Sequence, residues 1–191
     1  VRYYAQLAGN IDSGQNEGGF LLAREPIGVC ALINPWNYPL LQMIGKVAPA
    51  LAAGCTMLVK PAAQTPLQDV IMAEIVDSIG LPEGVFNLLT GVGSEVGPTM
   101  SSHPLVDMVS FTGSTSSGIS VAMNAAPTIK RVCQEMGGKS AFIIGEDADL
   151  HAAIKYGVDN VMLNTGQTCD ALTRMLVPRS QYQEAIDIAT R

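Results

Sequence analysis

The sequence predicts an α/β protein: a parallel sheet with flanking helices. Three observations carry that expectation. Short apolar runs rich in β-branched residues alternate with longer stretches of helical period, the pattern of parallel strands joined by crossover helices. Glycine-containing turns follow several of these runs, where parallel sheets bind their ligands. The 191 residues are 48% hydrophobic and 15% charged, enough to bury a core and too apolar for a disordered chain.

The elements follow in order. A first strand at 27–33 runs into the rigid turn Asn34-Pro35-Trp36-Asn37-Tyr38-Pro39 and a helix at 40–53. A strand at 55–60 is closed by Lys60-Pro61. Thr65 as a cap and Pro66 in the first turn open a helix at 66–79, which Gly80-Leu81-Pro82 ends. The strand at 85–90 meets the turn Gly91-Val92-Gly93-Ser94-Glu95-Val96-Gly97 and a helix at 94–101. The next strand, 107–112, passes through Phe111-Thr112-Gly113-Ser114-Thr115 into a helix at 115–125, and a strand at 128–136 carries Glu135. After a strand at 141–145, Asp147-Ala148-Asp149 places negative charge at the start of a helix at 149–163. A polar loop with Cys169, a strand at 174–178 and a helix at 181–190 complete the pattern. The polar, glycine-rich stretch 9–19 reads as a mobile loop or an excursion from the sheet.

Charge and composition narrow the function. A net charge of −6 without a basic stripe argues against nucleic acid as a partner. The apolar runs are too short for a membrane span, and the start of the chain has no signal pattern, so a soluble, cytoplasmic protein is expected. Cys30, Cys55, Cys133 and Cys169 contain no C-x-x-C pair, which speaks against a zinc site and a disulfide framework; no metal is expected. The first three lie in or beside apolar runs and read as small buried hydrophobes. Cys169 has polar neighbours suited to a loop or helix entry, where a thiol can do chemistry.

Several motifs fall at the carboxyl ends of the expected strands. The glycines of 91–97 and the hydroxyls of 112–115 each suit a helix start that holds phosphate, although G-x-G-x-x-x-G is one residue longer than the usual dinucleotide fingerprint. Asn37 has an amide to donate into the cleft, Lys60 sets an ammonium at its edge, and Glu135 precedes a pair of glycines that let backbone or ligand pass close by.

Taken in order, Pro35-Trp36-Asn37, Lys60-Pro61, the turns 91–97 and 111–115, Glu135-Met136-Gly137-Gly138-Lys139, and Asn164-Thr165-Gly166-Gln167-Thr168-Cys169 with Ala171 and Arg174 resemble the aldehyde dehydrogenases. The resemblance implies the NAD(P)-dependent, hydrolytic type and a Rossmann-like sheet. It implies an incomplete fold: a cofactor domain at 1–138 without its N-terminal part, an excursion at 9–26 toward an oligomerisation segment, and the start of a catalytic domain at 139–191. The chain is therefore expected to be a central fragment, inactive alone, of a protein that is a homodimer or homotetramer at full length.

By resemblance Cys169 is the nucleophile, Glu135 the general base and Asn37 the side-chain oxyanion donor. The cofactor side of the site takes Ile33, Pro35, Trp36 and Asn37 after the first strand, and Lys60 and Ala63 after the second. The glycine turns add Gly93, Gly97, Phe111, Thr112, Gly113, Ser114 and Ser117; Glu135, Met136 and Gly137 close it. The chemistry agrees with these roles. Oxidising an aldehyde needs a nucleophile to make a tetrahedral adduct that can release hydride, donors for its oxyanion, and a base to bring water onto the resulting thioester. Ala63 stands where many NAD-preferring members carry a ribose-binding glutamate, so NADP is admitted beside NAD. An acylating enzyme using coenzyme A and an inactive nucleotide-binding module are the competing readings. The expected substrate is a small-molecule aldehyde of unspecified identity.

Overall fold

The structure, a computed structural model, describes residues 1–9, 11 and 14–191, with Gln15 as backbone only. It divides into two compact units, Val1–Glu135 and Met136–Arg191.

The first unit begins with α1 (Arg2–Ala8) and an antiparallel hairpin of β1 (Gln15–Glu17) and β2 (Phe20–Leu22). Of the stretch expected as a loop or excursion, residues 10, 12 and 13 lie outside the described residues. The main sheet is made by β3 (Val29–Ile33), β4 (Thr56–Lys60), β5 (Phe86–Leu88), β6 (Met108–Gly113) and β7 (Arg131–Met136), in the order β5-β4-β3-β6-β7; the last residue of β7 falls at the start of the second unit. β3 pairs in parallel with β4 and β6, and β4 with β5. The chain thus steps outward from β3 to β5, then returns to the other side of β3. That reversal opens a crevice beyond the carboxyl ends of β3 and β6, the switch point at which such sheets bind ligands.

Alternation along β3 explains its apolar sequence. Cys30 and Leu32 face one side with Met57, Val59 and Cys55, covered by Met43 and Val47 of α2 (Pro39–Ala52) and by Met72 of α3 (Leu67–Ser78). Ala31 and Ile33 face the other with Val109 and Phe111, covered by Met100 of α4 (Gly93–Ser102) and Val121 of α5 (Thr115–Ala125). A central strand covered on both faces must be apolar at every position.

Three local expectations need correction. The strand expected from 128 begins at Arg131, because Ala126–Thr128 form a 3₁₀ turn and Ile129 takes a left-handed φ of 53°. Thr65 does not cap α3; the cap position is Pro66, and the buried Thr65 hydroxyl has no hydrogen-bond partner among the described residues. Cys133 is exposed rather than buried, since it lies on the edge strand β7 among Arg131, Gln134 and Glu135. Cys30 and Cys55 are buried as expected, and burial beside the Cys55 thiol pushes Cys30 up to about 12.

The second unit pairs β8 (Ala141–Ile143) in parallel with β9 (Arg174–Leu176). Ile154 of α6 (Leu150–Val161) and Ala185 of α7 (Tyr182–Ala189) join Ile144 in its core, with Phe142 and Met175 packed against them. Asp149 caps α6 as its sequence suggests, its carboxylate accepting the Ala152 N–H at 3.1 Å. No helix among the described residues is long and apolar enough to cross a membrane.

Candidate active site

At the switch point, the Asn34 N–H donates to the Lys60 carbonyl at 2.9 Å, so β3 stays tied to β4 one residue past its end. Pro35 is buried and Pro39 opens α2, which fixes the turn between them; Asn37 is half-buried there and Trp36 is 46% exposed. Ile33 and Phe111 pack within the apolar core beside the crevice. Lys60 is buried, not a solvated surface lysine: its ammonium donates to the Pro61 carbonyl at 2.7 Å, and burial lowers its proton affinity. Ala63 is exposed in the turn that follows.

Two helix starts face this edge of the sheet. Gly93 and Gly97 lie one turn apart in α4, and a Cβ on either would meet nothing within 4 Å. Ser114 caps α5, its Oγ accepting the Ser117 N–H at 3.3 Å and donating to the Ser117 hydroxyl at 2.9 Å. Between β6 and that cap, Gly113 is required by packing: a Cβ there would lie 2.7 Å from the Phe111 ring. Two helix N-termini after parallel strands, one opening on the exposed Gly93 with Gly97 buried one turn on, fit the phosphates of a dinucleotide.

A cavity of about 230 Å³ is lined by residues including Gln42, Lys46, Thr112, Cys133, Gln134 and Glu135. Lys46 organises it. Its ammonium donates to Thr112 Oγ1 at 2.8 Å, to Asn34 Oδ1 at 3.3 Å and to the Gln42 carbonyl at 3.5 Å. Burial lowers Lys46 from 10.5 to about 8, against the opposing pull of the Glu135 charge. Asn34 is buried, and its Nδ2 has no hydrogen-bond partner among the described residues.

Lys46 and Asn34 were not singled out by the sequence. The signal was there for Lys46: it is the only charged side chain in the fourteen residues of α2, between the buried Met43 and Val47. An ammonium one turn from core positions must find acceptors. Of the residues the sequence did single out, Phe111, Thr112 and Glu135 share this cavity.

The second unit holds Cys169. It is half-buried in a turn that begins where α6 ends, after Asn164, Thr165 and Gly166. The turn is tied down around it. Thr168 Oγ1 donates to the Leu163 carbonyl at 3.2 Å, the Ala171 N–H to the Thr168 carbonyl at 3.2 Å, and the Leu172 N–H to Asn160 Oδ1 at 3.3 Å. Met136 and Gly137 are exposed at the start of this unit. Among the described residues there is no group of three or more His, Cys, Asp or Glu side chains that could hold a metal ion.

Comparison with known proteins matches residues 1–191 to the model of the aldehyde dehydrogenase family. The chain is 53% identical over 185 residues to 3-succinoylsemialdehyde-pyridine dehydrogenase of a Pseudomonas species, covering 97% of this chain and 39% of that protein. It is 44% identical to betaine aldehyde dehydrogenase 1 of Oryza sativa, with 97% and 38% covered. Among solved structures, a cysteine-to-alanine variant of aldehyde dehydrogenase C from Pseudomonas syringae, complexed with NAD+ and octanal, superposes with a TM-score of 0.92 at 49% identity, covering 97% of this chain and 39% of that one. The NAD+ complex of a Bacillus cereus aldehyde dehydrogenase gives 0.92 at 41%, with 98% and 39% covered. The chain thus spans about 39% of the length of these relatives.

Proposed function

The chain belongs to the aldehyde dehydrogenase family, and from that premise we propose that the protein carrying it oxidises an aldehyde to a carboxylic acid, with NAD+ or NADP+ as hydride acceptor. The observation that supports this best is the cavity that sets Glu135 beside Lys46 and Thr112, the last at the carboxyl end of β6. The carboxylate of Glu135 there lines a polar recess, the setting in which a base can take a proton from water.

In this reading Cys169, as the thiolate, attacks the aldehyde carbon. A C–S bond forms and the carbonyl electron pair moves onto oxygen. The side-chain amide of Asn37 and the N–H of Cys169 donate to that oxyanion. As the C=O bond re-forms, hydride leaves the carbon and a thioester remains on Cys169. Bound NAD(P)+ supplies the acceptor for that hydride. Glu135 then takes a proton from water as the water oxygen adds to the thioester carbonyl; the C–S bond breaks, the carboxylic acid departs and Cys169 leaves as thiolate. Lys46 balances the Glu135 charge as an ammonium below about pH 8 and stands beside it as a neutral amine above.

The cofactor would lie across the crevice with phosphates at the starts of α4 and α5, near Gly93, Gly97 and Ser114, and with its adenosine ribose near Lys60. Ala63 offers a ribose 2′-phosphate neither a clash of charge nor a competing acceptor, which supports NADP beside NAD. The exposed Phe20, Leu21 and Leu22 of the hairpin support a role for it in a homodimer or homotetramer, a state that light scattering on the full-length protein would measure. Four free cysteines suit a reducing, cytoplasmic setting.

Steady-state oxidation of a panel of aldehydes by the full-length protein tests the proposal. The expected product is the free acid without added coenzyme A, and Cys169→Ala and Glu135→Gln should each abolish turnover. A product formed only as a coenzyme A thioester, or a fully active Cys169→Ala variant, contradicts the reading.

A further inference from the structure

The turn between α6 and Cys169 is left-handed for three residues in succession. Asn164 has φ 49° and ψ 38°, Thr165 has φ 60° and ψ 33°, and Gly166 has φ 77°. Glycine adopts such angles without cost, and asparagine tolerates them because its short amide bonds locally. Asn164 does so, its Nδ2 donating to the Gln167 carbonyl at 3.4 Å. Threonine has neither advantage: its branched Cβ makes a positive φ a genuine outlier. A residue held in that state must be over-determined by its surroundings. Here the Thr165 N–H donates to the Met162 carbonyl at 3.0 Å, and the Gln167 N–H donates to the Asn164 carbonyl at 3.1 Å. The Thr168 hydroxyl pins the next residues back onto Leu163.

We infer that Thr165 is a positioning residue: a stiff, left-handed pivot that fixes the direction in which the chain leaves α6 and so the placement of Cys169, four residues on. The inference rests on the reading of Cys169 as nucleophile. Glycine at this position would remove the strain and also the stiffness, so the chain uses the less comfortable residue where a small range of backbone directions matters. Misplacement of a reacting atom by about 1 Å costs on the order of 100-fold in rate, so a modest loosening should be visible in turnover.

The test uses the full-length protein with Thr165→Gly, Thr165→Val and Cys169→Ala. Thr165→Gly should lower kcat about tenfold with KM for the aldehyde unchanged, while its thermal midpoint stays level or rises as strain is released. Thr165→Val keeps the branched Cβ and exchanges the hydroxyl for a methyl group, so its kcat should stay within about twofold of the parent. The role is overturned if Thr165→Gly keeps full kcat, if its loss of kcat comes with a lower thermal midpoint, or if Thr165→Val loses as much as Thr165→Gly. An inactive Cys169→Ala beside a fully active Thr165→Gly removes only the positioning role; activity in Cys169→Ala removes the nucleophile itself.

Discussion

The ammonium of Lys46 in α2 lies 2.8 Å from the hydroxyl of Thr112 near the end of β6, so one hydrogen bond ties a helix on one face of the sheet to the strand beyond its switch point. The same ammonium is partly desolvated, and its proton affinity falls from 10.5 to about 8. Between those two values the unfolded chain binds the proton and the folded chain releases it. Stability must therefore rise with pH across that window as far as Lys46 contributes, while below about pH 8 the cost of the buried charge is present in full. Lys46→Met should flatten this rise. Urea unfolding of the full-length protein and the variant across that range measures it, and parallel pH curves for the two would refute the assignment.

Asn37 is placed by the two prolines on either side of it rather than by a flexible loop. Replacing it with alanine should leave the fold intact and reduce kcat by about 100- to 1,000-fold, the usual effect of losing one oxyanion donor. Thermal unfolding checks the first part and initial rates the second; a kcat within a few-fold of the parent would show that Asn37 only shapes the turn.

Ala63 is open to a direct reversal. A glutamate there would accept the 2′-hydroxyl of NAD and repel the 2′-phosphate of NADP, so Ala63→Glu should weaken NADP binding about tenfold or more relative to NAD. Calorimetric titration of both dinucleotides reads this without turnover. Equal affinities before and after the substitution would mean the adenosine ribose does not approach Ala63.

The large elements were legible because each is dictated by local chemistry. The fully apolar run of β3 announces a strand covered on both faces, and Asp149 announces the start of α6 by capping it. Less legible was what depends on distant partners. Thr65 looks like a cap in sequence, yet Pro66 takes the cap position and the hydroxyl is buried without a partner among the described residues. Thr128 and Ile129, with which the expected strand began, are β-branched, but the left-handed Ile129 delays β7 to Arg131. Helix α1 and the short β1-β2 hairpin were not foreseen, since three-residue strands carry too little periodicity to declare themselves. At the site, Glu135, Asn37 and Cys169 stood out through their motifs. Lys46 did not, because its acceptors Asn34 and Thr112 lie 12 and 66 residues away.

The covalent step is the central claim, and the acyl-enzyme is its most direct witness. With Glu135→Gln blocking the attack of water, the full-length protein given aldehyde and oxidised cofactor should accumulate a thioester. Intact-mass and peptide mass spectrometry should then find about one acyl group per chain, carried by the peptide containing Cys169. An absent adduct, or one carried by Cys133 instead, would contradict the account.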